Sequence, residues 1–526
     1  MHAPPPPSST RRRLTSLLHG CSSIRELKQI HAQITASGFF GDDLLLSKFI
    51  LFSGVTSDSG DLDYSYRIFQ TITAPSVFSY NALIRRFSGS DRPNRSLSLF
   101  VRMLRAAVPP DHLTFPFLSK SCARLSSLTL STSIHCQAVK HGLESDRFVS
   151  NSMIHMYAAC GDAASARRVF DGMSQLNLVS WNSLLDGYAK CRDLVAAREV
   201  FDRMPERDVV SWSAMIDGYV KGGEYREALA LFEAMRARPT TPKANEVTMV
   251  SVLCACAHLG ALDKGREMHG YLKENGLRLS LALATSLVDM YAKCGSISEA
   301  VRVFRGVPII KTDVLLWNAM IGGLAMHGMG TEAVRMYREM QNEAGVKPDE
   351  ITYLALLSAC AHGGLVNEAQ GLFRSLAELG MAPHVEHYAC MVDVLCRAGK
   401  VQEAYQLVCE MPVEPSAAVL GALLSGCRSH GWVELGEVVG KRLIEMDPEH
   451  DGRYVGLSNV YAVARRWEEA KQMRETMEKR KVRKAPACSE IEVGGVVSRF
   501  IVWDKTHPSA EEMYAMLELV VLQMKI

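Results

Sequence analysis

His384-Val385-Glu386 spells the first half of a zinc-deaminase signature, a histidine to hold the metal and a glutamate to shuttle the proton. The second half, Pro-Cys-x-x-Cys, does not follow, because Cys390 and Cys396 stand too far apart to replace it. Gly260 to Gly265 has phosphate-loop spacing, but Arg266-Glu267 occupy the places where a lysine and a hydroxyl would meet phosphate and magnesium. Neither H-E-x-x-H nor a nucleophile elbow is present. Fourteen cysteines invite a zinc or disulfide reading. Cys160, Cys191 and Cys294, however, recur at one position of a repeat, where a small buried hydrophobe fits. With no secretory segment and no cysteine framework, reduced intracellular thiols are expected. These residues predict a non-catalytic chain with no cofactor and no metal.

The elements that would position any site are repeats. Asn182-Ser183-Leu184-Leu185-Asp186-Gly187-Tyr188-Ala189-Lys190-Cys191 echoes the stretch from Asn151 to Cys160 and returns from Thr285 to Cys294. Asn151 to Asn182 is 31 positions, Asn182 to Ser213 is 31, and Thr285 to Asn318 is 33. Such a period marks stacked supersecondary units. Trp181, Leu184, Leu185 and Tyr188 fall at i, i+3, i+4 and i+7, and Ala197, Val200, Phe201 and Met204 repeat that spacing, so each unit is two amphipathic helices. Asp193, Asp162 and Ser296 stand where the second helix begins, and Ser296 with Glu299 has capping-box spacing. One hairpin buries too little to fold alone, so the units must form an array.

That array is expected over 14–416, in about 11–12 units of three alternating flavours. Helical pairs that drift from the pattern follow over 417–486. In the tail, 487–526, Ile491, Val493, Val497 and Ile501 belong to two β-rich runs joined at Gly494-Gly495, and a last helix runs from Met513 to Gln523, capped by Ser509 with Glu512. Residues 1–13, with Pro4 to Pro7 and then Arg11 to Arg13, read as a disordered or short targeting segment. The net charge of +2 carries no polyanion signature, and no apolar run is long enough to span a membrane.

Trp181-Asn182-Ser183-Leu184-Leu185, Tyr188-Ala189-Lys190-Cys191, Val200-Phe201-Asp202-Arg203-Met204-Pro205, Val346-Lys347-Pro348-Asp349 and His387-Tyr388-Ala389-Cys390-Met391-Val392-Asp393 together resemble plant pentatricopeptide-repeat proteins of the PLS type, over nearly the whole chain. Gly421-Ala422-Leu423-Leu424, Leu457-Ser458-Asn459-Val460-Tyr461 and Asp504-Lys505-Thr506-His507-Pro508 resemble that family's E and E+ extensions, with Leu420 where tryptophan is usual. The resemblance implies an all-α fold, a right-handed α-solenoid of helix–turn–helix repeats ending in a small β-hairpin and a helix.

The resemblance further implies single-stranded organellar RNA as partner, one base per repeat, read by two or three side chains. The matching pairs are Asn81/Asp111, Asn151/Asn177, Asn182/Asp208, Ser213/Asn245, Thr285/Asp313 and Asn318/Asp349. Asn with Asp implies U, Asn with Asn C, Ser with Asn A, and Thr with Asp G. The implied target is 5′-U-n-C-U-A-n-G-U-n-n-3′, where n faces Pro116/Asp146, Val250/Ser280, Leu354/His384 and Ala389/Ser416. Such residues also cap helices, but a cap has no need to vary in pairs. The implied role is a specificity factor for C-to-U editing in the mitochondrion, or alternatively the chloroplast. A DYW-type deaminase or other editing factor would join it through the C-terminal extension. Related roles in RNA stabilisation or splicing, or a tetratricopeptide-like peptide-binding solenoid, share the same helices.

Overall fold

The computed structural model describes residues 8–20, 24–39, 42–52, 59–237, 242–484, 488–493, 496–501 and 505–524. Up to Lys479 the described chain is a succession of helical pairs, from Ser8–His19 with Ile24–Ala36 to Asp451–Val463 with Trp467–Lys479. In each pair the first helix is here called A and the second B. The chain forms two compact units, Met1–Ala244 and Asn245–Ile526, and the division falls between one helical pair and the next.

Within each compact unit every A helix packs on the A helix of the next pair, while B helices pack on A helices. The result is a continuous A layer faced by a layer of B helices, the arrangement of an α-solenoid. Two devices in the sequence set this spacing. The first is aromatic: the B-helix ring of one pair meets the A-helix ring of the next edge-on. Phe170 against Trp181 has centroids 4.9 Å apart, Phe201 against Trp212 5.0 Å, Phe304 against Trp317 4.7 Å and Phe373 against Tyr388 5.2 Å. Edge-on contact suits the ring quadrupoles and adds to the apolar area buried. The tryptophan of the repeated motif therefore serves as a joint between units.

The second device is a glycine at several of the A–A contacts. A Cβ added at Gly187 would lie 3.0 Å from Ala158 Cβ, one at Gly218 2.9 Å from Ala189 Cβ, and one at Gly323 2.8 Å from Ala292 Cβ. Neighbouring A helices thus touch through hydrogen and methyl groups. Gly218→Val should force the helices apart and cost about 1–3 kcal/mol in chemical denaturation. Gly270→Ala, where a Cβ meets nothing within 4 Å, should be neutral or slightly stabilising.

A third contact recurs where units of the second flavour meet their successors. His135 Nδ1 lies 2.9 Å from Tyr157 Oη, and His269 Nδ1 2.9 Å from Tyr291 Oη. Burial first, then the nearby cations Arg168 and Lys273, lower both histidine pKa values, and burial pushes Tyr291 up to about 12. Near pH 6 the unfolded chain therefore binds more protons than the folded one, and stability falls as the pH drops below the ordinary histidine value of 6.5. The urea midpoint should be lower at pH 5.5 than at pH 7.5, and His269→Gln should reduce that difference.

At the N-terminus the segment 1–13, expected to be disordered or a short targeting segment, is helical over its described part. The helix Ser8–His19 takes in its second half, because Leu14 and Leu18 are buried and Arg11 Nη2 donates to Asp42 at 2.8 Å. Residues 1–7, including Pro4 to Pro7, lie outside the described residues. At the other end Cys488–Val493 pairs antiparallel with Val496–Ile501, with Val493 opposite Val496. The connecting Gly494-Gly495 and Asp504 lie outside the described residues. The last helix is Ala510–Gln523, beginning three residues before the expected Met513, and Ser509 precedes it without a side-chain cap bond.

Candidate nucleic-acid interface

Most A helices begin just after the last residue of the preceding unit, and that residue's side chain accepts from the free N–H groups of the first turn. Asp208 Oδ1 accepts from Ser211 N at 2.9 Å, and Asp349 Oδ1 from Thr352 N at 2.8 Å. Asp111 Oδ1 accepts from Leu113 N and Thr114 N, each at 3.0 Å. The capping alternative is thus geometrically real, yet it uses only one carboxylate oxygen.

The same oxygen also receives the amide of the asparagine one unit earlier. Asn81 Nδ2 donates to Asp111 Oδ1 at 2.9 Å, Asn182 Nδ2 to Asp208 Oδ1 at 3.2 Å, and Asn318 Nδ2 to Asp349 Oδ1 at 2.9 Å. A hydroxyl three residues after each aspartate completes each cluster. Thr114 Oγ1 lies 2.8 Å from Asn81 Oδ1, Ser211 Oγ 2.7 Å from Asn182 Oδ1, and Thr352 Oγ1 2.6 Å from Asn318 Oδ1. The amide is thereby fixed in one orientation, carbonyl toward hydroxyl and nitrogen toward carboxylate. One N–H of the asparagine remains outside the cluster, and the bonds from asparagine, capped backbone and hydroxyl all fall on the same carboxylate oxygen, Oδ1. Burial would raise the Asp208 and Asp349 carboxyls, but hydrogen bonds from the capped backbone, the hydroxyl and the asparagine outweigh it, and both pKa values fall. Each carboxylate is held as an acceptor.

Two of the other three expected pairs, Asn151/Asn177 and Thr285/Asp313, differ. Asn177 caps Ser180 N at 2.9 Å, but Asn151 does not bond to it, and the buried Asn151 Oδ1 has no hydrogen-bond partner. Ser213 is buried and donates to Val209 O at 2.7 Å, while Asn245 caps Thr248 N at 2.9 Å. Asp313 caps Leu316 N at 3.0 Å, and no bond joins it to Thr285 among the described residues. Leu316 stands there in place of the hydroxyl.

The residues first considered for chemistry disperse. His384 Nε2 lies 2.9 Å from Glu350 Oε2 and its backbone N donates to His387 Nδ1, so the half-signature is a helix N-terminus. Among the described residues no cluster of histidine, cysteine and carboxylate groups could hold a metal ion. Burial pushes the Cys122 and Cys396 thiols up to about 12, which makes them inert packing groups. Gly260 ends one helix in the left-handed conformation, while Gly265 lies inside the next, packed against Met290. The Ser296 capping box does not form either. Ser296 Oγ donates to Glu299 Oε2 at 2.9 Å, and that carboxylate is drawn to Arg266 Nη2 at 2.9 Å.

Two further stripes accompany the polar pairs. Three residues before most asparagine-type positions, one helical turn away on the same face, stands an exposed large apolar residue: Phe78, Phe148, Val179, Val210 and Leu315, with Leu113, Val247 and Ile351 in the second-flavour units. Val179 is 58% and Val210 52% exposed. Four residues after the asparagine-type position an aspartate pairs with a cation at the helix end: Asp186 with Lys190, Asp217 with Lys221, Asp289 with Lys293 and Asp393 with Arg397. The apolar stripe was readable as an apolar residue beside every cap, on the wrong face for the core.

Comparison with known proteins places this pattern. A pentatricopeptide-repeat model matches residues 78–108, 148–178, 179–209, 283–306 and 351–381, and related repeat models match 207–258, 312–362 and 379–412. A pentatricopeptide repeat-containing protein of Arabidopsis thaliana is 51% identical over 503 residues, covering 96% of this chain and 94% of that protein. The chain belongs to the pentatricopeptide-repeat family. The family's E motif matches residues 430–492. A chloroplastic Arabidopsis pentatricopeptide-repeat protein is 44% identical over 95% of this chain and 89% of its own. A mitochondrial one is 38% identical over 95% and 88%. The solved structure of the pentatricopeptide repeat protein PPR10 with an 18-nucleotide psaJ RNA element shares the fold, with TM-score 0.56 and 17% identity over 92% of this chain and 76% of that one.

Proposed function

We propose that this pentatricopeptide-repeat protein binds single-stranded RNA in an organelle, one base per repeat, and marks a cytidine for C-to-U editing by a deaminase supplied in trans. The observation that carries the reading is the cluster of asparagine, aspartate and hydroxyl that forms three times along the array, each time bridging one A helix and the next. An aspartate in the last position only accepts, so it favours bases with a ring N–H, U and G. An asparagine there can donate, and favours the ring-nitrogen acceptors of C and A. A long asparagine in the first position leaves room for a pyrimidine, whereas serine or threonine leaves room for a purine. This is the physical content of the expected target 5′-U-n-C-U-A-n-G-U-n-n-3′. The exposed apolar residues would flank the base faces, and the cations at the A-helix ends would meet phosphate.

The E motif and the organellar relatives support editing and an organelle. Sequencing organellar RNA from plants lacking the protein tests it. One cytidine left unconverted, a few nucleotides 3′ of a matching sequence, is expected. Normal editing everywhere, with a shortened or unspliced transcript, would move the role to stabilisation or splicing.

A further inference from the structure

The last repeat-like A helix before the E-motif tail, Ala417–His430, and its successor Asp451–Val463 enclose a pocket of about 450 Å³. Its lining includes Gly421, Leu424, Arg428, Leu443, His450 and Arg453. The register of this pocket is informative. Gly421 is the fifth residue of its A helix, as Asn182 is of Leu178–Lys190, and His450 caps the next A helix, as Asp208 does. The pocket therefore lies where the asparagine–aspartate cluster lies in the reading repeats, with the first side chain removed. A Cβ added at Gly421 would meet nothing within 4 Å.

The chemistry of the walls suits a nucleotide. Leu424, Leu443 and the methyl groups of Ala417 and Ala418 give an apolar floor. Arg428 is exposed at the rim and has no ion-pair partner among the described residues, so its guanidinium is available to a phosphate. Arg453 is already held by Leu443 O at 2.6 Å and Asp447 Oδ2 at 3.3 Å and shapes the wall. His450 Nδ1 accepts from Gly452 N at 3.1 Å, which places the ring proton on Nε2 and makes that atom a donor.

We infer that the Gly421–His450 pocket is an eleventh base site, taking a purine with a ring-nitrogen acceptor, adenine, directly 3′ of the nucleotide facing Ala389/Ser416. The inference rests on the array reading above and extends it into the E region. A missing first side chain leaves purine-sized room, and the His450 Nε2–H donor takes the place of an asparagine amide. The occupant is the next nucleotide of the same strand, because the pocket continues the spacing of the paired positions.

The test uses the full chain and three RNAs: the ten-nucleotide target with C at every n, the same RNA extended by a 3′ adenosine, and the same extension carrying an abasic ribose. The adenosine form should bind about tenfold more tightly than the abasic form, the scale of one stacked base. Gly421→Leu should erase that difference while leaving the ten-nucleotide RNA bound as before, and Arg428→Ala should weaken both extended forms. Equal affinity for the adenosine and abasic forms, with the ten-nucleotide target still preferred over a scrambled one, would overturn the pocket and leave the array reading intact. Loss of preference for the ten-nucleotide target would overturn both.

Discussion

Asn182→Thr should move the preference at the fourth base of the target from U to G, by about tenfold or more in relative Kd, with the other positions unchanged. In the structure Asn182 fills the space between two A helices and hands one N–H to Asp208 at 3.2 Å. Threonine is shorter and has no amide, so it leaves a recess large enough for a purine. Asp208 keeps its cap on Ser211 N at 2.9 Å and remains an acceptor, which selects a base with a ring N–H. Guanine satisfies both conditions. The chain already holds this combination at Thr285/Asp313, where Asp313 caps Leu316 N at 3.0 Å without help from threonine. A discriminating contact of this kind is worth about 1–3 kcal/mol. Gel-shift titration with four RNAs differing at that base reads it directly. An equal loss on all four would show a folding defect, and an unchanged U preference would remove Asn182 from base contact. Ser211→Ala should act on the same site more weakly. It frees the Asn182 carbonyl, so the amide can turn over, and U should lose part of its advantage over C.

How far such residues could be found from sequence depended on what sets their geometry. Helix placement followed from local periodicity: Trp181, Leu184, Leu185 and Tyr188 must share a face, and the helix Leu178–Lys190 is there. The aromatic joints and the glycine contacts are longer-range. Their residues were visible as repeats, but that Gly218 faces Ala189 depends on how two helices stack. The Ser296 capping box failed because Arg266, 33 residues away on a neighbouring unit, competes for Glu299. The helix Ser8–His19 was hidden because its apolar residues, the buried Leu14 and Leu18 and the exposed Leu17, are few and its first turn holds only polar ones. In the candidate site the paired positions were legible, but the hydroxyls of Thr114, Ser211 and Thr352 were not, because each serves the unit before its own. Gly421 was recognisable only as part of a motif, since its importance lies in the space it leaves empty.

The double substitution Val179→Ser with Val210→Ser should weaken binding to the target by about thirtyfold while barely changing stability. Both valines are more than half exposed, so the folded array gains little from them. Each stands in the first turn of its A helix, where serine is well tolerated. A base entering between the two units would cover both side chains, and half-burying a valine contributes about 1 kcal/mol, roughly fivefold in affinity for each. Unlike the change at Asn182, this loss should be the same for every base at that position, because an aliphatic surface touches the face of a ring and not its edge. The two variants together therefore separate what holds the strand from what reads it. A double mutant that binds normally would place the RNA away from the A-helix first turns, and one that changes base preference would give the valines a part in selection. Thermal unfolding of the same protein distinguishes either outcome from simple destabilisation.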